Sequence, residues 1–316
     1  MNYHIIMSYF NHPTLSSHSC ILEEESLNKY SYMNIGGNAK WLAKIASVDD
    51  LSNIINWSDE HNIKTKIIGA GSNILIDDAG WNGLIIIFRD SMNTIRLDGN
   101  DIIAESGAML PKLSKFAQKN ELTGLEFAIG IPGSLGGALY SNAGINDGSQ
   151  IGDIVKQVTV FRNNQLINLN SKQITFNYRH SSLKDNNELI ISAVLTLKTI
   201  EKKLIDDKMN KLIQYRKTTQ PLASKNAGSM FKNTEKRSAG ELIESCDLKG
   251  QQIGGAMVSH KHANFIENVR DAKAKDVVSL MTLIQSTVFE KTGFFLEPEV
   301  EWISDKMIPG IFNISK

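Results

Sequence analysis

The pattern of apolar residues along this chain predicts an α+β fold. Three observations carry that prediction. From about residue 36 to 200, short β-like runs recur with helical stretches set between them. Beyond residue 200 the apolar spacing becomes helical, with lysines and acids on the opposite side. At 316 residues the chain also exceeds one ordinary domain, which implies two or three. The expected organisation is an arm over 1–29, a two-lobed region over 30–200 and a last α+β domain over 201–316.

The elements follow in order. Residues 1–30 show no clear period and read as a loose arm or short helix. Ser47-Val48-Asp49-Asp50 resembles a capping box, followed by Leu51, Ile54 and Ile55 on one helical face. Thr65 to Ile68 reads as a strand ending in glycine, and Leu84 to Phe88 as a buried strand. After the short strand Ile102 to Ala104, Pro111 starts a helix carrying Leu113, Phe116 and Ala117. Strands are expected at 158–161, 165–167 and 189–197. A helix with Leu204, Ile205, Met209, Leu212 and Ile213 inward connects to the last domain. There Ser238 and Glu241 form a capping box. A helix from about Lys273 to Thr292 turns Val277, Val278, Met281, Ile284 and Val288 inward and stops at Gly293.

Composition excludes several classes of function. Lys plus Arg and Asp plus Glu are both 34, so no global field draws the chain to nucleic acid or a membrane surface. Cys20 and Cys246 offer neither a CxxC motif nor a disulfide framework, which fits a reducing cytoplasm. The first twelve residues lack the basic lead and apolar core of a signal peptide, and no apolar run is long enough to span a bilayer. His260-Lys261-His262 lacks a carboxylate or cysteine at metal-ligand spacing, so no metal is expected.

Three polar clusters point to chemistry. Asn226-Ala227-Gly228-Ser229 places a hydroxyl after a permissive glycine. Pro298-Glu299 supplies a carboxylate after a stiff residue, and Tyr178-Arg179 a permanent cation. Serine, arginine and glutamate together can manage an enolate-like anion, so the chain reads as an enzyme. Two glycine-rich segments could hold phosphates. Gly69-Ala70-Gly71-Ser72-Asn73 follows a strand, but Ile74 stands where a dinucleotide fingerprint needs its third glycine, and residues 77–83 would break the helix. Gly130-Ile131-Pro132-Gly133-Ser134, with Gly136 and Gly137, can form a nest of backbone amides. The two segments together suit an elongated diphosphate lying between lobes.

The glycine segments, with Gly36-Gly37, resemble the FAD-binding fold of the vanillyl-alcohol oxidase and p-cresol methylhydroxylase superfamily. Tyr178-Arg179-x-Ser181, Ala227-Gly228-Ser229-x-Phe231-Lys232-Asn233 and Pro298-Glu299-Val300 then resemble the UDP-N-acetylenolpyruvoylglucosamine reductase family over about residues 30–303. The resemblance implies an FAD-binding region over 30–200, its flavin held without a covalent bond, and a substrate-binding domain over 201–316. It further implies NADPH as reductant and a UDP-sugar as substrate, in a monomer. Arg179, Ser229 and Glu299 would be catalytic, with Ser229 donating a proton. Gly69 to Asn73, Gly130 to Ser134, Gly136 and Gly137 would hold the cofactor. Tyr178, Lys217, Lys232 and Asn233 would lie on the substrate side, with Arg179, Lys217 and Lys232 as candidates to assist Ser229.

The chain departs from the family pattern in two places. Lys225-Asn226 stands where many relatives have Pro-Ser. Only 50 positions (229 − 179) separate Arg179 from Ser229, which resembles the branch without the loop that carries a substrate-clamping tyrosine. Two rivals compete with this reading. An oxidase on the same cofactor fold would leave Arg179, Ser229 and Glu299 idle. A non-catalytic nucleotide-sugar binder would have lost one of them.

Overall fold

Residues 84–88 read Leu-Ile-Ile-Ile-Phe, and such a run is apolar on both faces of a strand. In the computed structural model, which describes residues 12–88, 90–306 and 308–313, most of that run lies in the strand Trp81–Ile87. Leu84 and Ile86 join one core with Trp41, Ala43, Leu51 and Ile54. Ile85 and Ile87 join a second with Leu42 and Ile68. The sheet runs in the order Cys20–Ser26, Asn38–Lys44, Trp81–Ile87, Thr65–Ile68. Its last three strands are parallel, and Cys20–Ser26 is antiparallel to its neighbour.

The helix Val48–Glu60 starts at Ser47, whose hydroxyl accepts from the Asp50 amide at 3.1 Å. The reciprocal half of the expected box is replaced. The Asp50 carboxylate accepts instead from the amide and hydroxyl of Ser16 and the hydroxyl of Ser19. Of the expected arm, residues 1–11 lie outside the described residues. The remainder is not loose: Cys20–Ser26 is an edge strand and Leu27–Tyr30 a single 3-10 turn. Glu23, Glu24 and Glu25 keep that strand half in solvent, so it carries no apolar alternation to read.

The second lobe is an antiparallel five-stranded sheet in the order Gln165–Asn170, Val155–Arg162, Leu189–Thr196, Asp101–Glu105, Ile95–Asp98. The helices Leu110–Lys119 and Leu135–Ser141 bury Leu113, Leu135 and Leu139 against Ile102, Val158, Val160 and Leu195. Pro111 sits in the first turn of its helix, as expected. The helix Lys202–Thr219 also packs on this lobe, with Ile205 and Met209 against Ile129 and a Gln118 to Asp206 hydrogen bond of 2.7 Å. Leu204 was expected inward but is 56% exposed, because the buried stripe is only about one residue wide per turn.

A second four-stranded sheet runs Asn226–Ser229, Phe265–Asn268, Ala256–Val258, Gln252–Ile253, all antiparallel. Ser238 and Glu241 cap the helix Ala239–Glu244 reciprocally. The helix Ala274–Thr292 buries Val277, Met281, Ile284 and Val288, leaves Val278 partly covered, and stops at Gly293 in a left-handed conformation. Met33, Ile35 and Leu75 complete the core of this region. Finally Glu301–Ile303 pairs in parallel with Ile74–Ile76 of the first region. After Asn73 the chain therefore enters a strand, where a dinucleotide fingerprint needs a helix.

Candidate active site

A cleft of about 1600 Å³ opens where the two lobes and the last sheet meet. That exceeds the roughly 300–1,000 Å³ of a typical small-molecule pocket and leaves room for a cofactor and a substrate together. Both glycine segments line it, as do Tyr178, Arg179, Lys217, Ser229, Asn233 and Glu299. Lys232 does not. Its ammonium is taken by Glu297 at 2.5 Å beside the cleft.

The segment 297–300 assembles the polar centre. Lys232 N donates to Glu297 O and Glu299 N to Met230 O, each at 2.8 Å, so Glu299 is stitched to the residue after Ser229. Ser229 ends the strand Asn226–Ser229 opposite Phe265. Gly228 before it is left-handed, at φ +76°, with only Ser72 O near its open side. From the second lobe Arg179 reaches in, and its Nε donates to Glu299 Oε1 at 2.7 Å. Both side chains are about five-sixths buried. Arg179 is itself left-handed, at φ 54°, a conformation costly for a residue with a Cβ and often found at functional sites. Its guanidinium also lies 5.1 Å from the Tyr178 ring, and the Tyr178 hydroxyl accepts from the Asn233 amide at 3.3 Å.

Burial pushes the Glu299 carboxyl above the ordinary glutamate range, against the opposing pull of Arg179 and Lys232. A carboxyl that keeps its proton can donate a hydrogen bond, while the neighbouring arginine stays charged.

The glycine segments touch one another. A side chain at Gly69 would come within 2.8 Å of Ser134 Oγ, and one at Gly71, at φ +77°, within 1.8 Å of Tyr30 O. Among the described residues, no acceptor takes the amides of Ala70, Gly71, Ser72 or Asn73. Four unspent donors in succession along one cleft wall are what a diphosphate requires.

The sequence profile of the UDP-N-acetylenolpyruvoylglucosamine reductase C-terminal domain matches residues 220–303, and that of an FAD binding domain matches residues 39–164. The reductase of Caldicellulosiruptor bescii is 40% identical over 91% of this chain and 92% of its own length. The chain belongs to the UDP-N-acetylenolpyruvoylglucosamine reductase family. The reductase of Pediococcus pentosaceus is 38% identical over 90% of this chain and 95% of its own. The crystal structure of the Thermus caldophilus enzyme of this family superposes with a TM-score of 0.77 at 31% identity, covering 90% of this chain and 98% of that one. The protein is thus an FAD-dependent oxidoreductase with the superfamily's FAD-binding fold, and the free amides of 70–73 fit the diphosphate of that cofactor. No helix among the described residues is long and apolar enough to cross a membrane.

Two residues of the site escaped the sequence. Arg216 lies in the cleft wall, where burial lowers its pKa and its guanidinium donates to Gly130 O. Asn264 lies in the turn between the strands Ala256–Val258 and Phe265–Asn268, and its carbonyl accepts from Met230 N at 2.8 Å. Both act on backbone atoms, which leave no side-chain pattern to find.

Proposed function

We propose that this protein reduces UDP-N-acetylglucosamine enolpyruvate to UDP-N-acetylmuramate with NADPH as the source of electrons. The observation that carries the reading is the Arg179–Glu299 pair, 2.7 Å apart, in the cleft that Ser229 and the glycine segments also line. On this reading the region 30–200 holds FAD and 201–316 holds the UDP-sugar, with Tyr178, Lys217 and Asn233 lining its side of the cleft.

Gly69 to Asn73, Gly130 to Ser134, Gly136 and Gly137 would hold the flavin, which would supply hydride to the substrate carbon β to the carboxylate. Charge then accumulates at the α carbon and spreads into the carboxylate. Arg179 stabilises that charge as a fixed cation in a water-poor site. In its protonated form, which burial favours, Glu299 donates a hydrogen bond to the same carboxylate. Ser229 gives its hydroxyl proton to the α carbon. Hydride and proton together saturate the double bond. A serine is a weak acid, so its proton must be replaced through a nearby cation or water. Lys217 lines the cleft and can serve. Lys232 is held by Glu297 and is less well placed. With nucleotide substrates drawn from the cytoplasm, the protein acts there as a monomer on small molecules.

Incubating the purified protein with NADPH and the enolpyruvyl UDP-sugar, while following the flavin absorbance band, tests the reading. Bleaching by NADPH and recovery on adding the sugar are expected. Recovery with oxygen alone and none with the sugar would identify an oxidase.

A further inference from the structure

Asn73 closes the glycine segment and touches the strand that carries Glu299. Its side-chain nitrogen donates to Glu299 O at 3.1 Å, and its own carbonyl accepts from Glu301 N at 3.0 Å. These two bonds straddle Val300 and fix the register of 299–301 against the first lobe. The opposite edge of Glu299 is held by its amide on Met230 O. The backbone of Glu299 is therefore gripped on one side by the serine segment and on the other by the cofactor segment. This grip fixes the backbone from which its carboxyl meets Arg179 at 2.7 Å.

The geometry points to Asn73 as a positioning residue for Glu299: its side chain sets the carboxyl against Arg179, while its backbone amide faces the cofactor. One residue thereby joins the wall that takes the cofactor to the group that acts on the substrate. A shift of Glu299 toward or away from Arg179 changes the site without changing any side chain that touches the flavin. The charged groups acting on the carboxyl are Arg179 and Lys232. This inference rests on the role proposed above for Glu299.

Asn73→Leu removes the donor and keeps the branched side-chain shape. Three measurements on the full-length protein separate the possibilities. FAD affinity, from fluorescence titration of the apoprotein, is expected to fall by less than the rate of reoxidation does, because the variant keeps the Asn73 backbone amide. Reoxidation by the enolpyruvyl UDP-sugar is expected to slow by about 10- to 100-fold, the cost of a misplaced group, and flavin reduction by NADPH to slow distinctly less. In infrared pH titration, the carboxyl stretch that disappears in Glu299→Gln should titrate at higher pH in Asn73→Leu, because Glu299 has lost part of the pull of Arg179. If the leucine variant does not fold, Asn73→Ser takes its place, since its hydroxyl is too short to reach Glu299 O. FAD binding and both half-reactions impaired to the same degree would assign the side chain to the cofactor and overturn the proposal. An unshifted carboxyl titration would overturn it too. Failure of wild-type protein to reoxidise with the sugar would instead sink the proposed reaction, and the infrared result would still judge Asn73.

Discussion

Asn264 holds Phe231 by both backbone groups: its side-chain oxygen accepts from Phe231 N at 3.0 Å, and its side-chain nitrogen donates to Phe231 O at 2.8 Å. Asn264 is almost wholly buried. This clamp fixes the two residues that follow Ser229, so the serine hydroxyl projects from a rigid strand end. Buried amide pairs of this kind are costly to break, because each partner is left without water.

Ser229→Ala should divide the reaction. Flavin reduction by NADPH needs no proton delivered to the sugar and should keep its rate. Reoxidation by the enolpyruvyl UDP-sugar should slow by about 10²–10⁴-fold. Stopped-flow traces of the flavin band report each half. Equal slowing of both would make Ser229 a support of the fold or cofactor and not the proton donor.

Arg179→Lys should slow the same half-reaction, because an ammonium lacks the planar two-pronged grip of a guanidinium on a carboxylate. Stability should change little, since the lysine inherits the same left-handed backbone. Thermal unfolding beside the kinetic traces checks both statements.

Glu299 gives a pH dependence whose sign follows from its burial. The folded protein holds the proton to higher pH than the unfolded chain, where glutamate titrates near its ordinary 4.5. Its contribution to stability is therefore complete below that value and is lost as pH rises through the raised folded value. Glu299→Gln should gain stability relative to wild type over that range. Reoxidation by the sugar should decline with rising pH in wild type as the carboxyl ionises, and the glutamine variant should lack that limb. Denaturant unfolding and rate profiles across pH provide the comparison.

Asp50 shows the opposite sign. Burial alone would raise its pKa, but hydrogen bonds from Ser16, Ser19 and Ser47 outweigh it and hold the carboxylate at about 2. A depressed acid stabilises the fold above its unfolded value, and that contribution is lost as pH falls through the folded one. Asp50→Asn should cost about 2 kcal/mol near neutral pH. The deficit should shrink between the ordinary aspartate value and about pH 2, as measured by urea unfolding.

The cofactor should leave with acid. Residues 65–76 contain neither His nor Cys, so the first glycine segment offers no tethering nucleophile. Precipitated protein should be colourless and all the flavin should be in the supernatant.

Much of this architecture is legible in the residues, and the remainder fails for identifiable reasons. Pro111 and Gly293 mark helix ends because their backbone restrictions act locally. The edge strand Cys20–Ser26 is invisible because its stabilising contacts are backbone bonds to Asn38–Lys44, beneath glutamates that stay wet. The helix Lys202–Thr219 reveals a buried stripe but not which lobe receives it. Arg179, Ser229 and Glu299 stand out through their motifs, and the structure brings all three to one cleft. Lys232 belongs to the same motif as Ser229 yet turns to Glu297, a partner 65 positions away that no local pattern discloses.

The parallel pairing of Glu301–Ile303 with Ile74–Ile76 joins positions 227 residues apart (301 − 74). A chain emerging from the ribosome folds its early parts first, and contacts this distant form late. Both lobes can be in place while the carboxyl of Glu299 is still inside the synthesis machinery. On the role proposed for Glu299, catalytic competence arrives last, with one three-residue strand, and a nascent chain interrupted before residue 299 can be well folded over most of its length and yet inert.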